Sequence, residues 1–300
     1  MSKFLAILFA ALTITAAQAR ETITIIYAFS PADTMANYSR TLAEEANKIQ
    51  DKYTFIFDTR PGAGNSIAAN YVKNTPNTIL ASSGAFFVRP NFYPNESYNV
   101  EDFREILPQC NAPMSVASVK YKSWKDVPTD KPLNIGTSGL GVVSHLIATQ
   151  VQKKYPNAVV IPFKSTTDGL LALVGGQVDL TVGFIGEQEK WSEGKVTVNI
   201  LGTTGSGYNK HPSLVSGGLP EILGSSDNPH HLMVPAKMPE DKFKEIRGIL
   251  VKSANTKSVR DSYAVDYCEP LDQIADSNIQ PWARAQNSHW TRLSSGIKLN

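Results

Sequence analysis

"LNIGTSGLGVVSHLIATQVQKKY", residues 133–155, joins a short apolar strand, a turn of glycine, serine and threonine, and a helix with apolar residues at helical spacing. Units of this kind build parallel sheets, because two parallel strands need a crossover and a helix supplies it. The turn also has a chemical consequence. The first amides of a helix lack partners within it and stand at the positive end of its dipole, so this loop suits an anion.

Outward from that stretch, strand and helix alternate along most of the chain. Residues 22–29 read as a buried strand, and the helix after it carries Met35, Tyr38, Leu42, Ala46 and Ile49 on one face. Strands at 53–60 and 78–84 follow, separated by a glycine turn and a helix through Ile67, Tyr71 and Val72. This order predicts a mainly parallel sheet flanked by helices. Residues 105–121 hold two strand-like pieces broken by prolines, as a crossover between lobes would. A second unit has strands at 133–137, 158–163, 178–184 and 196–201, with helices beginning near Gly141, Thr166 and Gly186. "HHLMVPAKM" (230–238) reads as a returning strand, and helices over 240–253 and 271–294 finish the chain. The last places Ile279, Trp282, Gln286, Trp290 and Leu293 along one side. The expected fold class is α/β with two lobes: residues 20–108 with 226–300, and residues 109–225.

The ends and the composition bound the setting. Lys3, an apolar run over 4–16 and the A-x-A site Ala17-Gln18-Ala19 read as a secretory signal peptide covering residues 1–19, too short to anchor in a bilayer. Cleavage near Ala19 would leave a mature chain in the periplasm of a Gram-negative cell. Removing Lys3 from 29 basic side chains leaves 28 against 27 acidic ones, scattered rather than clustered. That balance argues against nucleic acid or an anionic membrane surface as partner. Two cysteines, Cys110 and Cys268, match no metal or redox spacing. In an oxidising compartment they either pair or lie apart as buried thiols, and sequence leaves that open.

Most catalytic chemistries find no support. "GLGVVS" (139–144) and "GAGNSI" (62–67) each lie between strand and helix but lack the third glycine of a dinucleotide fingerprint. Gly62 and Gly64 read as a tight turn needing permissive backbone. Ser138 sits in G-T-S-G-L, not in a nucleophile elbow, and His145 falls within the following helix. His230 and His231 lack a third metal ligand at useful spacing and read as a surface or strand-end pair. No metal or cofactor is expected. Asp179, in "VGGQVDL" (174–180), follows a two-glycine turn and either reaches the ligand shell through a water or caps the turn.

Four stretches, in order, resemble the substrate-binding proteins of tripartite tricarboxylate transporters, the Bug family. They are "RPGAGNSIAANYV" (60–72), "LNIGTSGLGVVSHL" (133–146), "VVIPFKSTTDGLLALVGGQVDL" (159–180) and "SEGKVTVNILGTTG" (192–205). The resemblance implies a two-lobed periplasmic binding protein fold of type II, with mainly parallel sheets and two interlobe crossovers. It also implies a solute-binding protein without catalysis. Such a protein closes on a small organic acid and delivers it to integral membrane transporter subunits. The family's serine-glycine loops fall on Thr137, Ser138, Gly139 and Val142, with Ser82, Ser83 and Gly84 at the third strand end. Its first loop falls on Ser30, Pro31 and Ala32, and its last aspartate on Asp179; Thr166 adds a hydroxyl beside the usual turn. The chain departs from the pattern where the first-loop glycine pair becomes Ala32-Asp33 and a loop aspartate becomes Ala36. A monomer without cofactor is expected. The alternatives are a binding protein of another transporter or sensory system, and a secreted hydrolase.

Overall fold

The computed structural model describes residues 20–192, 194, 196–208, 210–221, 227–271 and 274–297. The signal peptide expected over residues 1–19 lies outside them. Two sheets organise the chain. The first takes β1 (Glu21–Tyr27), β2 (Tyr53–Thr59), β3 (Thr78–Ser83), β4 (Phe103–Ala112), β10 (Asn228–Pro235) and β11 (Glu269–Pro270), in the order β11-β4-β10-β3-β1-β2. The second takes β5 (Met114–Ser118), β6 (Leu133–Thr137), β7 (Ala158–Pro162), β8 (Leu180–Phe184) and β9 (Asn199–Thr203), in the order β7-β6-β8-β5-β9.

In both sheets the βαβ units give parallel neighbours: β2, β1 and β3 in one, and β7, β6 and β8 in the other. The crossover strands run the opposite way, β10 against β3 and β4, and β5 against β8 and β9. The fold is therefore the α/β architecture expected, with mixed sheets that are parallel where helices connect the strands. Around the first sheet lie α1 (Thr34–Lys48), α2 (Ser66–Asn74), α3 (Ala85–Val88), α7 (Glu240–Ala254), α8 (Lys257–Ala264) and α9 (Ile279–Ser294). Around the second lie α4 (Val143–Lys154), α5 (Thr166–Val174) and α6 (Ile185–Ser192).

The apolar stripes do their expected work, with exceptions. Met35, Tyr38, Leu42 and Ala46 are buried, whereas Ile49 stands at the C-cap of α1 and is 43% exposed. In α2 the buried face is Ala68, Ala69 and Val72, and Ile67 points to solvent. Helix α9 begins at Ile279 rather than 271, two residues before Pro281. Proline fits the first turn, where no intrahelical donor is needed, and would break a helix running through it. Of the surface and strand-end readings of His230 and His231, the surface one is overturned, because both lie in the third and fourth positions of the fully buried strand β10. Alternation along the strand sends them to opposite faces. His231 meets Glu105 (Nδ1 to Oε2, 2.7 Å), while His230 packs edge-on against Tyr38 and Phe184.

Cys110 and Cys268 are paired, so the open question from the sequence is answered by a disulfide that staples β4 to the segment entering β11. Because it closes a loop of 158 residues, the cross-link removes much freedom from the unfolded chain. Reduction is expected to cost about 2–4 kcal/mol, read as a lower urea midpoint with reductant than without it. An unchanged midpoint would contradict this.

A second constraint acts where the sheets meet. Gly186, in the first turn of α6, lies so close to the segment after α8 that an added Cβ would stand 1.6 Å from the Val265 carbonyl oxygen. No rotamer change relieves a clash with backbone. Gly186→Ala is therefore expected to hold the two sheets apart at this rim. Small-angle scattering should give a larger radius of gyration than wild type, and equal radii would count against it.

Candidate ligand-binding cleft

The carboxyl ends of the parallel strands in the two sheets face one another across a cleft, the usual position for ligands in open α/β sheets. At its centre lies a cavity of about 20 Å³, bounded from one side by Tyr27, Phe29, Asp33, Ser83 and Asn228 and from the other by Ser138, Val142, Ser144, Thr166 and Phe184. That volume holds about one water, so the cleft is closed.

The second-sheet wall is the loop quoted from the sequence. Thr137 ends β6, and the chain turns through Gly139 (φ +128°) and Gly141 (φ +68°), backbone conformations that glycine adopts without strain. Ser138 is held by Ser144, whose Oγ accepts from the Ser138 amide at 3.0 Å and lies 2.9 Å from its hydroxyl. Thr137 donates to the Gly139 carbonyl at 3.1 Å. Helix α4 then starts after Val142, which is extended, and no side chain caps it. Its first amides are left facing the cavity that Val142, Val143 and Ser144 line. His145 does not join them as a charged group. Its Nδ1 accepts from the Gly141 amide at 3.1 Å, and burial pushes its pKa down to about 4, so it is neutral.

The opposite wall carries an acid. Asp33 is the N-terminal flanking residue of α1, and it is buried in the cavity wall. The Tyr27 hydroxyl donates to its Oδ2 at 3.1 Å; Thr166 and Thr167 of the other lobe stand 3.4 and 3.3 Å from its Oδ1. Thr167 also contacts Glu187 of α6, and Glu187 in turn sends its backbone amide to Asp266 Oδ1 at 3.0 Å. Tyr38 donates to the other oxygen of Asp266 at 2.7 Å. Three carboxyl groups thus lie buried at the seam with only neutral partners. Burial is the largest influence on each. It raises Asp33 to about 7, and it raises Glu187 to about 8 with help from the charges of Asp33 and Asp266. Burial raises Asp266 as well, with Thr34, Tyr38 and the Glu187 amide acting the other way.

Hydrogen counting points the same way. Thr167 has one hydroxyl proton, yet its oxygen lies within bonding distance of the Ala32 carbonyl, Asp33 and Glu187. A proton on Glu187 removes the conflict, since the acid then donates to the threonine and the threonine donates to Asp33. The closed arrangement therefore favours one neutral and one charged carboxyl.

Other contacts also bridge the cleft. Arg89 after α3, packed against Glu96 and Ser66, donates to the Leu140 carbonyl at 3.2 Å. Gly64 (φ +54°) brings its turn so close that a Cβ would lie 3.0 Å from Val142 and 3.2 Å from the Leu140 carbonyl. The turn read from "GAGNSI" is thus both a tight turn and a contact surface for the anion loop.

Of the residues singled out from the sequence, Ser138, Val142, Ser83 and Thr166 line the cavity, with Thr137 and Gly139 shaping the loop behind it. Gly84 presents its amide to Asn228 Oδ1 at 2.9 Å, and Ser82 is turned to Asn65 at 2.6 Å. Ser30, Pro31 and Ala32 stand outside the wall, where only the Ala32 carbonyl meets the other lobe. Asp179 is not brought to the cleft. It lies beside the start of β6, accepting from the Asn134 amide at 2.8 Å and pairing with Lys120. The cleft is at the other end of that strand, so a ligand-shell role is replaced by a structural one. No spacing in the sequence joins Asp33, Glu187 and Asp266, since the first and last are 233 positions apart and only the fold brings them together.

Comparison with known proteins agrees with this layout. The family model of the tripartite tricarboxylate transporter family receptor matches residues 38–240. Among solved structures, the chain is similar to the periplasmic binding protein BugD, at 20% identity and a TM-score of 0.78, covering 91% of this chain and 96% of that one. It is also similar to MatC from Rhodopseudomonas palustris with bound malate, at 19% identity and a TM-score of 0.80, covering 91% and 98%. An R. palustris protein solved with adipate gives 19% and 0.80, covering 92% and 97%. These likenesses establish the fold. No curated protein matches the sequence.

The buried acids give the cleft a pH signature. Ordinary values for Asp and Glu are 3.8 and 4.5, so the folded protein binds protons that the unfolded chain has already released. Stability is then greatest on the acid side and falls as pH rises through about 7 to 8. Tyr27, Tyr38, Asp266 and the neutral His230 surround the pair and supply no cation. Urea midpoints measured from about pH 5 to about pH 8.5 should decline, and Asp33→Asn with Glu187→Gln should flatten the decline. A flat wild-type profile would refute the assignment.

Proposed function

Since the chain belongs to the tripartite tricarboxylate transporter receptor family, we propose that it is a periplasmic solute-binding protein that captures a small organic carboxylate between its lobes and passes it unchanged to membrane transporter subunits. The observation that carries this reading is the uncapped start of α4, which turns its first amides and the Ser138–Ser144 pair into an interlobe cavity. Amides and hydroxyls bond a carboxylate without a lysine or arginine, each charge-assisted bond contributing roughly 1.5–3 kcal/mol. Malate and adipate, named with two of the similar structures, are acids of the class such a loop would take.

In this reading Thr137, Ser138, Gly139 and Val142 form the grip, with Ser83, Gly84 and Thr166 completing the pocket. The lobes in this reading follow the two sheets, so the boundary expected at 108/109 moves to between β4 and β5, because residues 109–112 pair within the first sheet. The leader over residues 1–19 directs export and is removed near Ala19, and the mature receptor acts as a monomer. A binding role without catalysis is supported by the hydrogen bonds of Ser138, the serine weighed as a nucleophile from the sequence. Ser138 is engaged with Ser144, and His145 takes its proton contact from Gly141 rather than from a serine.

Ser138→Asp tests the grip, because a tethered carboxylate would occupy the helix amides and repel the ligand. With an acid found by thermal-shift screening, calorimetry should show at least about a hundredfold loss of affinity, since like charges brought together cost several kcal/mol. Undiminished affinity would sink the site.

A further inference from the structure

We propose that the ligand is a carboxylate that also carries a protonated amine, with Asp33 as the residue that receives the ammonium group. The proposal rests on the carboxylate-receptor reading and names the class of acid that the same cavity selects.

The cavity is lined by groups of opposite demand. One wall offers the helix amides of Val143 and Ser144, which seek a negative charge. The other offers the carboxylate of Asp33, which seeks a positive one. Asp33 lines the cavity, and its present partners are the hydroxyls of Tyr27, Thr166 and Thr167 together with the Thr167 amide. All are neutral, and no lysine, arginine or histidine is among the groups acting on it, so its charge is left without a counterpart.

A second observation points to a missing hydrogen-bond donor beside Asp33, where Thr167 bridges it to Glu187. Glu187, 5% exposed and coupled to Asp33, has its Oε2 without a hydrogen-bond partner among the described residues. A seam with three buried carboxyls and an unsatisfied oxygen is short of donors, and hydrogen bonding and charge both make an ammonium the complementary partner. A ligand bearing only carboxylates would instead set like charge against Asp33. A second oxygen on such a ligand could approach only after Asp33 took up a proton. The about 20 Å³ cavity holds no whole amino acid, so entry requires the lobes to part, and closure then seats both ends of the ligand at once.

The test compares matched acids with and without the amine by calorimetry on the purified receptor at neutral pH. The pairs are aspartate with succinate, glutamate with glutarate, alanine with propionate, and phenylalanine with 3-phenylpropionate. In at least one pair the amine-bearing member should bind roughly ten- to a hundredfold tighter, the effect of one charge-assisted contact. In Asp33→Asn that ratio should collapse to within about twofold, with circular dichroism confirming the fold. Tighter or equal binding of every amine-free member would overturn the proposal and leave the carboxylate reading standing. So would a preference for the amine that Asp33→Asn leaves unchanged. Amine-free acids that gain affinity as pH falls, with no advantage from an amine, would assign the positive charge to a proton and overturn it too. Binding by no acid of either kind would overturn both readings.

Discussion

The start of α4, with its amides uncapped, is the constraint from which the rest of the cleft follows. A buried amide without a partner costs free energy comparable to a lost hydrogen bond, and no side chain among the described residues caps these. The donors must face either solvent or a guest, so the loop before the helix has to lie at the mouth of a space that can open. Its two left-handed glycines make the turn possible, and Ser144 fixes Ser138 within it. The first sheet then provides the lid. Gly64, Arg89 and the Asp33 loop each approach the anion loop or its neighbour, so the same residues that shape the site also hold the lobes together.

Closure also has an electrostatic side. Asp33 and Asp266 come from the first-sheet side of the seam and Glu187 from the second, so bringing the sheets together removes three acids from water in one movement. Hydroxyls of Tyr27, Tyr38, Thr166 and Thr167 soften that burial without supplying charge. Shape complementarity and charge therefore act in opposite senses at this seam. The packing of Gly186 on Val265 favours contact, while the carboxyls favour contact only when protons or a cation accompany them.

Much of this was legible from periodicity. The strand–helix alternation, the buried stripe of α1, and the anion loop all follow from residue pattern and local chemistry, and the family resemblance placed them in one fold. What pattern could not show depends on distance in space. Helix α8, eight residues directly after α7, falls between the two terminal helices expected from the sequence, and periodicity over so short a span does not single it out. Asp179 lies near the right motif but at the wrong end of its strand, which only the register of β6 with β8 reveals. The histidine pair looked like a surface feature because two adjacent polar residues interrupt an apolar run. In a strand buried on both faces each can instead find its own pocket, as His231 does with Glu105. Asp33 stood in view as a departure from the family loop. Its meaning came from Glu187 and Asp266, which no spacing rule connects to it.

The position of β10 has a consequence for the order in which the molecule can be assembled. The second sheet is drawn from one unbroken stretch, Met114 to Thr203, and every partner it needs is present once that stretch has been made. The first sheet is different. β10 is inserted between β3 and β4, so those earlier strands have no common neighbour until residues 228–235 arrive. During synthesis from the N-terminus, the half of the protein that comes first in sequence is thus the last to be completed. Until then β3 and β4 offer unpaired edges, and a chain stalled before β10 is an aggregation hazard even though its later half is already folded.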